Sequence, residues 1–249
     1  MREAIVLAGG LGTRLRSVLP DAPKALAPIQ GRPFLDYLLD YLASEGAKHA
    51  CLALGYQADK ILERYGSSPL PVRPSEGFLP QIGQWKGLQL SASIEAEPLG
   101  TGGALAQAIP HLQAPRLFIL NGDTFFPLPL SQMESYHTQK GASLTLALAY
   151  VSPADRYGLV EVQDGFVTAF REKEPRPSGW IYGGIALIET AWWRAQSWPK
   201  QFSWELYLKE AATTLRPAAF LAKDLPFLDI GVPADYEKAQ TFLPRYASF

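Results

Sequence analysis

The sequence predicts an α/β protein with a mostly parallel sheet between two layers of helices, and three observations carry that expectation. Short apolar runs of strand length alternate with longer stretches of helical spacing through the first half of the chain. The 249 residues, 47% hydrophobic and 12% aromatic, are enough to bury one large core. Glycine-rich and acidic turns follow several of the strand-like runs, at the carboxyl edge where sheets of this kind gather their sites.

Taken in order, Ala4 to Ala8 reads as a first buried strand, Pro33 to Ala43 as a helix, His49 to Leu54 as a second strand and Ala58 to Tyr65 as a second helix. Leu88 to Ile94, the helical stretch Gly103 to Ile109 and the run Arg116 to Leu120 continue the alternation to about residue 125. After Leu144 to Leu148 the pattern changes. Leu159 to Val162 and Phe166 to Phe170 flank Asp164-Gly165, a strong two-residue hairpin signal. Strand-like Trp180 to Ile188 follows, then helical segments through about Ala212, an apolar run Ala218 to Ala222 and a last helix after Pro233. The proline-rich stretch Pro69 to Pro74 reads as a loop. The chain is thus expected to form a single domain, 1–249, whose pattern divides it into halves of about 1–125 and about 126–249.

Composition narrows the function classes. The 23 basic and 24 acidic residues leave a formal charge of -1 with no basic run, which argues against nucleic acid and anionic membranes as partners. Met1-Arg2-Glu3 leads straight into the first strand without the pattern of a signal peptide, and no run of about 18 apolar residues occurs, so a cytoplasmic protein is expected. The single cysteine, Cys51, lies in an apolar run and reads as a buried structural thiol. His49, His111 and His137 are scattered without metal-ligand spacing and are assigned no chemistry.

The first candidate site is Leu7-Ala8-Gly9-Gly10-Leu11-Gly12-Thr13-Arg14-Leu15, which puts three glycines and a cation where the first strand ends. Glycines let backbone N–H groups approach an anion, and a guanidinium offers forked donors to phosphate oxygens. A tight turn needs glycine for steric reasons alone, so the loop by itself leaves both readings open. The third glycine of a dinucleotide fingerprint is missing, and no Gly-Lys-Ser/Thr exists to form a P-loop. Pro23-Lys24, ten residues past Arg14, adds a second cation held behind a stiff proline.

Gly-Gly-x-Gly-Thr-Arg-Leu followed by Pro-Lys resembles the signature of the sugar-phosphate nucleotidyltransferase family, whose members build nucleotide sugars on a Rossmann-like three-layer α/β/α fold with a mostly parallel mixed sheet. The similarity runs from Ala4 to about Gln240, and within the family it points towards the D-glycero-α-D-manno-heptose 1-phosphate guanylyltransferases. The stretches Gly31 to Leu39, Glu97 to Gly103 and Leu120 to Phe126 support it.

The resemblance implies a nucleotide-binding half over about 1–125 and a sugar-phosphate-binding half over about 126–249, and it implies site roles. Leu7, Ala8, Gly9, Gly10, Gly12, Thr13 and Arg14 would bind the nucleotide, with Arg14 on the leaving pyrophosphate and Lys24 on phosphate near the reacting centre. Glu97-Pro98-Leu99-Gly100-Thr101 would line the base, although Gly102 and Gly103 can equally serve helix entry alone. Asp123, in Asn121-Gly122-Asp123, could be no more than a turn-forming acid. A carboxylate beside a triphosphate needs a bridging cation, however, and the resemblance implies that Asp123 and Asp229 hold Mg2+. Asp235, from the same Asp229-Ile230-Gly231-Val232-Pro233-Ala234-Asp235-Tyr236 segment, reads as a capping or surface acid of the final helix.

On the sugar side the resemblance implies Asn121, Tyr157, Gly158, Gly183 and Gly184, with Glu172 on sugar hydroxyls and Lys173 on the sugar phosphate. As composition alone, Glu172-Lys173-Glu174-Pro175 is an ordinary solvated charge cluster, and the glycines could permit tight strand packing. Tyr182 stands where the family pattern has asparagine before the double glycine.

The implied partners are a nucleoside triphosphate, GTP by the closer resemblance, and a sugar 1-phosphate; self-association into a homo-oligomer is left open. The implied product is GDP-heptose for surface glycans such as lipopolysaccharide. The alternatives are a mannose or glucose 1-phosphate nucleotidyltransferase and a catalytically silent nucleotide-sugar sensor. Joint retention of Arg14, Lys24, Asp123, Lys173 and Asp229 disfavours the sensor, which has little need for the complete charge-handling set. A dehydrogenase is disfavoured by the incomplete fingerprint.

Overall fold

The computed structural model describes residues 1–10, 12, 22–66, 79–171 and 176–246. Fourteen strands and seven α-helices are described. The strands are β1 (Arg2–Leu7), β2 (Pro28–Ile29), β3 (Arg32–Pro33), β4 (Ala47–Leu54), β5 (Gln81–Trp85), β6 (Leu88–Ile94), β7 (Arg116–Asn121), β8 (Thr124–Phe125), β9 (Leu144–Val151), β10 (Val160–Gln163), β11 (Phe166–Phe170), β12 (Gly179–Glu189), β13 (Ala218–Ala222) and β14 (Leu228–Asp229). The helices are α1 (Phe34–Ser44), α2 (Ala58–Tyr65), α3 (Gly100–Ala108), α4 (Leu130–Lys140), α5 (Thr190–Arg194), α6 (Trp204–Leu215) and α7 (Pro233–Phe242).

Ten strands make one sheet in the order β10-β11-β13-β9-β12-β7-β1-β4-β6-β5. From the pairings, β10, β13, β9, β7, β1, β4 and β6 point one way and β11, β12 and β5 the other. Alternate side chains enter two cores. Ala4 and Val6 of β1 face α1, α2, α4 and α7, whereas Ile5 faces α3, α5 and α6. That is the three-layer architecture the alternation of apolar runs predicts.

The predicted strands and helices are present, several with extended ends: β1 begins at Arg2, β9 runs on to Val151 and α3 starts at Gly100. Asp164 and Gly165 both take positive φ, 54° and 82°, as the turn between β10 and β11 requires. Besides the two-residue strands β2, β3, β8 and β14, two elements lie outside the expectation. Strand β5 pairs antiparallel with β6 through Lys86-Gly87, whose φ values of 47° and 82° make the same kind of turn without an Asn-Gly or Asp-Gly signature. Helix α4 buries Leu130, Met133 and His137 but is otherwise polar, which hides its period. The proline-rich stretch Pro69 to Pro74 falls outside the described residues.

Candidate active site

Strands β1, β4, β6 and β7 end side by side, and the turns beyond them interlock. Ala8 N donates to Ala53 O at 2.9 Å, Tyr56 N to Gly9 O at 3.2 Å and Glu95 N to Leu54 O at 2.9 Å. The approach is close enough that a Cβ on Gly9 would lie 2.9 Å from Gly55 N. Gly122 donates to Leu7 O at 2.9 Å, and a Cβ there would sit 2.5 Å from that same oxygen. Glycine at 122 therefore brings the residue after β7 against β1, and Asp123 emerges beside the glycine loop.

Asp123 and Asp229 are joined by a second, two-stranded sheet, in which Thr124 of β8 pairs with Asp229 of β14 and Phe125 with Leu228. Ile230 N donates to Asp123 O at 3.0 Å, and Gly231 N to Asp229 Oδ1 at 2.6 Å. Onto this pair comes Lys24, from a single 3-10 turn (Lys24–Leu26) started by Pro23. Its ammonium lies 2.6 Å from Asp123 Oδ2 and 3.9 Å from Asp229 Oδ1, with only 12% of the lysine side chain exposed. One cation between two carboxylates offsets the repulsion that their proximity would otherwise cost.

These residues open on a cavity of about 410 Å³, within the range that takes a small-molecule substrate. One wall is Leu7, Ala8, Gly9, Gly10 and Gly12; a second is Lys24, Asn121, Gly122, Asp123 and Gly231; the third is Ala53, Glu95, Pro98, Gly100, Thr101 and Ala104. Glu205 of α6 closes the rim.

Two of those acids have defined surroundings. Burial raises the Glu95 carboxyl above its ordinary value, partly offset by Leu99 N, which donates to Oε2 at 3.0 Å. Glu205 Oε2 accepts from Thr101 Oγ1 at 2.6 Å and from Ser203 Oγ at 3.0 Å, while Trp204 N donates to Thr101 Oγ1 at 2.9 Å. The starts of α3 and α6 are thereby tied together beneath the cavity. Asn121 Oδ1, on the β7 side, is buried with no hydrogen-bond partner among the described residues.

Residues 3–245 match the family described as Nucleotidyl transferase. The chain belongs to that family. It is 37% identical over 244 residues to the D-glycero-alpha-D-manno-heptose 1-phosphate guanylyltransferase of Aneurinibacillus thermoaerophilus, covering 98% of this chain and 99% of that protein. A protein of the same name from Campylobacter jejuni is 37% identical over 235 residues, covering 94% and 96%. Among solved structures, HddC from Yersinia pseudotuberculosis complexed with GMP-PN superposes with a TM-score of 0.80 at 32% identity, covering 97% of this chain and 99% of that one.

In this nucleotidyltransferase the residues singled out from the sequence divide into three groups. Leu7, Ala8, Gly9, Gly10, Gly12, Lys24, Pro98, Gly100, Thr101, Asn121 and Asp123 surround the cavity, and Asp229 touches it through Lys24. Thr13, Arg14, Glu172 and Lys173 lie outside the described residues.

The remainder sit away from the cavity wall. Glu97 is exposed and paired with Lys200 at 2.5 Å, and Leu99 is buried. Gly102 packs where a Cβ would strike the Phe202 ring, and Gly103 where it would lie 2.5 Å from Lys200 O, so both serve the seating of α3 on the segment before α6. Gly183 packs against Phe126, and Gly184 lies beside Asn121 with φ +76°. Tyr157 rests on Phe227, and Gly158 runs beside the carbonyl of Arg171. The Tyr182 hydroxyl is buried beside Trp204; burial raises the phenol pKa well above its ordinary value, partly offset by the indole.

One expectation is corrected. Asp235 is in the first turn of α7, but it is neither a surface acid nor a cap: it is 4% exposed and bound by Arg156 at 2.7 Å and Lys238 at 3.2 Å, and α7 has no side-chain cap. Ala25, Ala53, Glu95, Ala104, Gly122, Glu205 and Gly231 line the cavity without having been singled out. Gly122 and Gly231 sit inside motifs already noticed, and Glu95 two residues before one; nothing in the sequence marks Glu205. Among the described residues, no group of three or more His, Cys, Asp and Glu is arranged to hold a metal, and no helix is long and apolar enough to cross a membrane.

Proposed function

We propose that the chain condenses D-glycero-α-D-manno-heptose 1-phosphate with GTP, giving GDP-heptose and pyrophosphate, in the cytoplasm. The observation that carries the reading is the convergence of Lys24, Asp123 and Asp229 at the edge of a cavity walled by a glycine loop. Near-full-length similarity to two heptose 1-phosphate guanylyltransferases supports the sugar, and similarity to a structure holding GMP-PN supports the base.

Glu95 adds a chemical argument for guanine. An ionised carboxylate is a pure acceptor. Guanine offers two adjacent donors, N1–H and the N2 amino group, whereas adenine and cytosine each set a ring-nitrogen acceptor beside their one amino group and uracil has a single N–H between two carbonyls. A half-buried glutamate beside the Pro98–Thr101 wall therefore favours guanine.

In the reaction a phosphate oxygen of the sugar 1-phosphate attacks the α-phosphorus of GTP in line; the new P–O bond forms as the bond to the β-phosphate oxygen breaks, and pyrophosphate leaves. No covalent enzyme intermediate is needed. The chain's work is to bring two polyanions together and hold them. Lys24 supplies positive charge at the reacting phosphate, Arg14 and Thr13 hold the triphosphate, Lys173 receives the sugar phosphate and Glu172 the sugar hydroxyls. Asn121, whose buried Oδ1 has no partner among the described residues, accepts from a sugar hydroxyl. The two aspartates fit magnesium: they are hard oxygen donors, fixed by backbone hydrogen bonds and already holding a cation, and Mg2+ takes one or two carboxylates with phosphate oxygens completing its shell. When bound, the ion neutralises charge on the phosphates.

The experiment is pyrophosphate release, with Mg2+, across four nucleoside triphosphates and three sugar phosphates: heptose, mannose and glucose 1-phosphate. Release confined to GTP with the heptose phosphate is the expected result. Release with another pair keeps the transfer and replaces the substrate, and none in any combination rejects the reading.

A further inference from the structure

We infer that Lys24 is a displaceable counter-ion, holding the magnesium carboxylates in the ligand-free protein and released from them when the divalent cation enters. The inference rests on the reading above that Asp123 and Asp229 bind Mg2+, and it concerns what the lysine does before any nucleotide arrives.

The main chains that carry the carboxylate pair are brought together by backbone. Pairing of β8 with β14 and the Ile230 N–H on Asp123 O set the two residues side by side, and the Gly231 N–H on Asp229 Oδ1 orients one of the carboxylates. Two like charges so placed need a positive partner, and the structure supplies Lys24 Nζ at 2.6 Å from one and 3.9 Å from the other. Gly231 leaves room for it: a Cβ at that position would come within 3.2 Å of Nζ.

A metal ion and an ammonium draw on the same carboxylate lone pairs and repel each other, so they cannot share the pair at full occupancy. Lysine suits exchange because its charge rides on a flexible four-carbon stem, whereas an arginine would hold the carboxylates as a fork. Entry of the cation would therefore free the ammonium for the substrate phosphates. Metal entry and the arming of Lys24 become one event.

The test is Mn2+ binding to the ligand-free protein, followed by electron paramagnetic resonance, for the wild type, Lys24→Met, Lys24→Gln and Asp123→Asn, each checked for fold by circular dichroism. Both lysine variants should bind Mn2+ about tenfold more tightly than the wild type, and their melting temperatures, lowered without metal, should recover more on adding Mg2+. Equal or weaker binding by both folded lysine variants overturns the inference and leaves the proposed transfer standing. Absence of Mn2+ binding by every form removes the metal role of the two aspartates and the inference with it.

Discussion

Asp123 stands on the residue scale as the acid whose replacement should cost most and disturb least. Its backbone carbonyl takes the Ile230 N–H, and among the described residues its side chain is bound by Lys24 at the edge of the cavity. Asp123→Asn should lower kcat by about a hundredfold or more, with the melting temperature moving by only a few degrees on the scale of a surface change; steady-state kinetics with Mg2+ beside a thermal melt checks both. Glu95 makes a different forecast. Because burial raises its carboxyl, the ionised form proposed to accept from guanine should be lost at a higher pH than an ordinary glutamate's, and GTP affinity should fall as pH drops through that raised value. Glu95→Gln should weaken GTP by about tenfold and remove this pH dependence, as calorimetric titration between pH 5 and 8 would read. A variant that keeps the wild-type profile assigns the dependence elsewhere. Residue roles were unevenly legible. Gly9, Lys24 and Asp123 could be found because they lie in short local patterns, whereas Glu205 becomes part of the rim through Thr101, 104 positions away in sequence.

At the scale of elements, the site is a matter of strand ends meeting. Gly122 lets β7 turn against β1, and the short pairing of β8 with β14 carries Asp229 across from the far end of the chain. Gly122→Ala places a methyl 2.5 Å from Leu7 O, so chemical denaturation should show a loss of about 2–3 kcal/mol. Activity should fall with it, since Asp123 is the next residue. Most elements could be read from the sequence because their apolar residues repeat with the period of a strand or a helix. Strand β5 could not, since Gln81-Ile82-Gly83-Gln84-Trp85 is weakly apolar and its turn uses Lys86; α4 could not because only one narrow stripe of it is buried. The β8–β14 pair is two residues a side, too short for any periodicity, and it brings Asp123 and Asp229 together.

Across the whole molecule, charge is buried far from the reaction as well. Asp36 and Asp40 of α1 are 2% and 0% exposed, and they gather Arg32, Arg64, Lys86, the Tyr65 hydroxyl and Trp85 Nε1 from β3, α2, β5 and the turn after it. Burial alone would raise the Asp40 carboxyl, but hydrogen bonds from Arg32, Lys86 and Trp85 outweigh it and hold its pKa below the ordinary value. A depressed carboxylate stabilises the fold above its unfolded pKa and loses that contribution as pH falls through the folded one. Asp40→Asn should therefore melt well below the wild type at neutral pH, and the gap should close below about pH 4; melts at pH 7, 5 and 3 decide it. The three-layer fold was legible from the alternation of runs, while this cluster was not, because its cations come from separate segments that only the folded sheet edge brings together.

Cys51 sits in β4, flanked in the sheet by β1 and β6, with none of its surface exposed and its thiol pushed up to about 12 by burial. No alkylating reagent reaches it while the central strands stay paired, and even a reagent that did would meet a thiol rather than a thiolate. The protein thus carries its own unfolding clock: the rate at which a dilute thiol reagent modifies native protein counts how often the middle of the sheet opens.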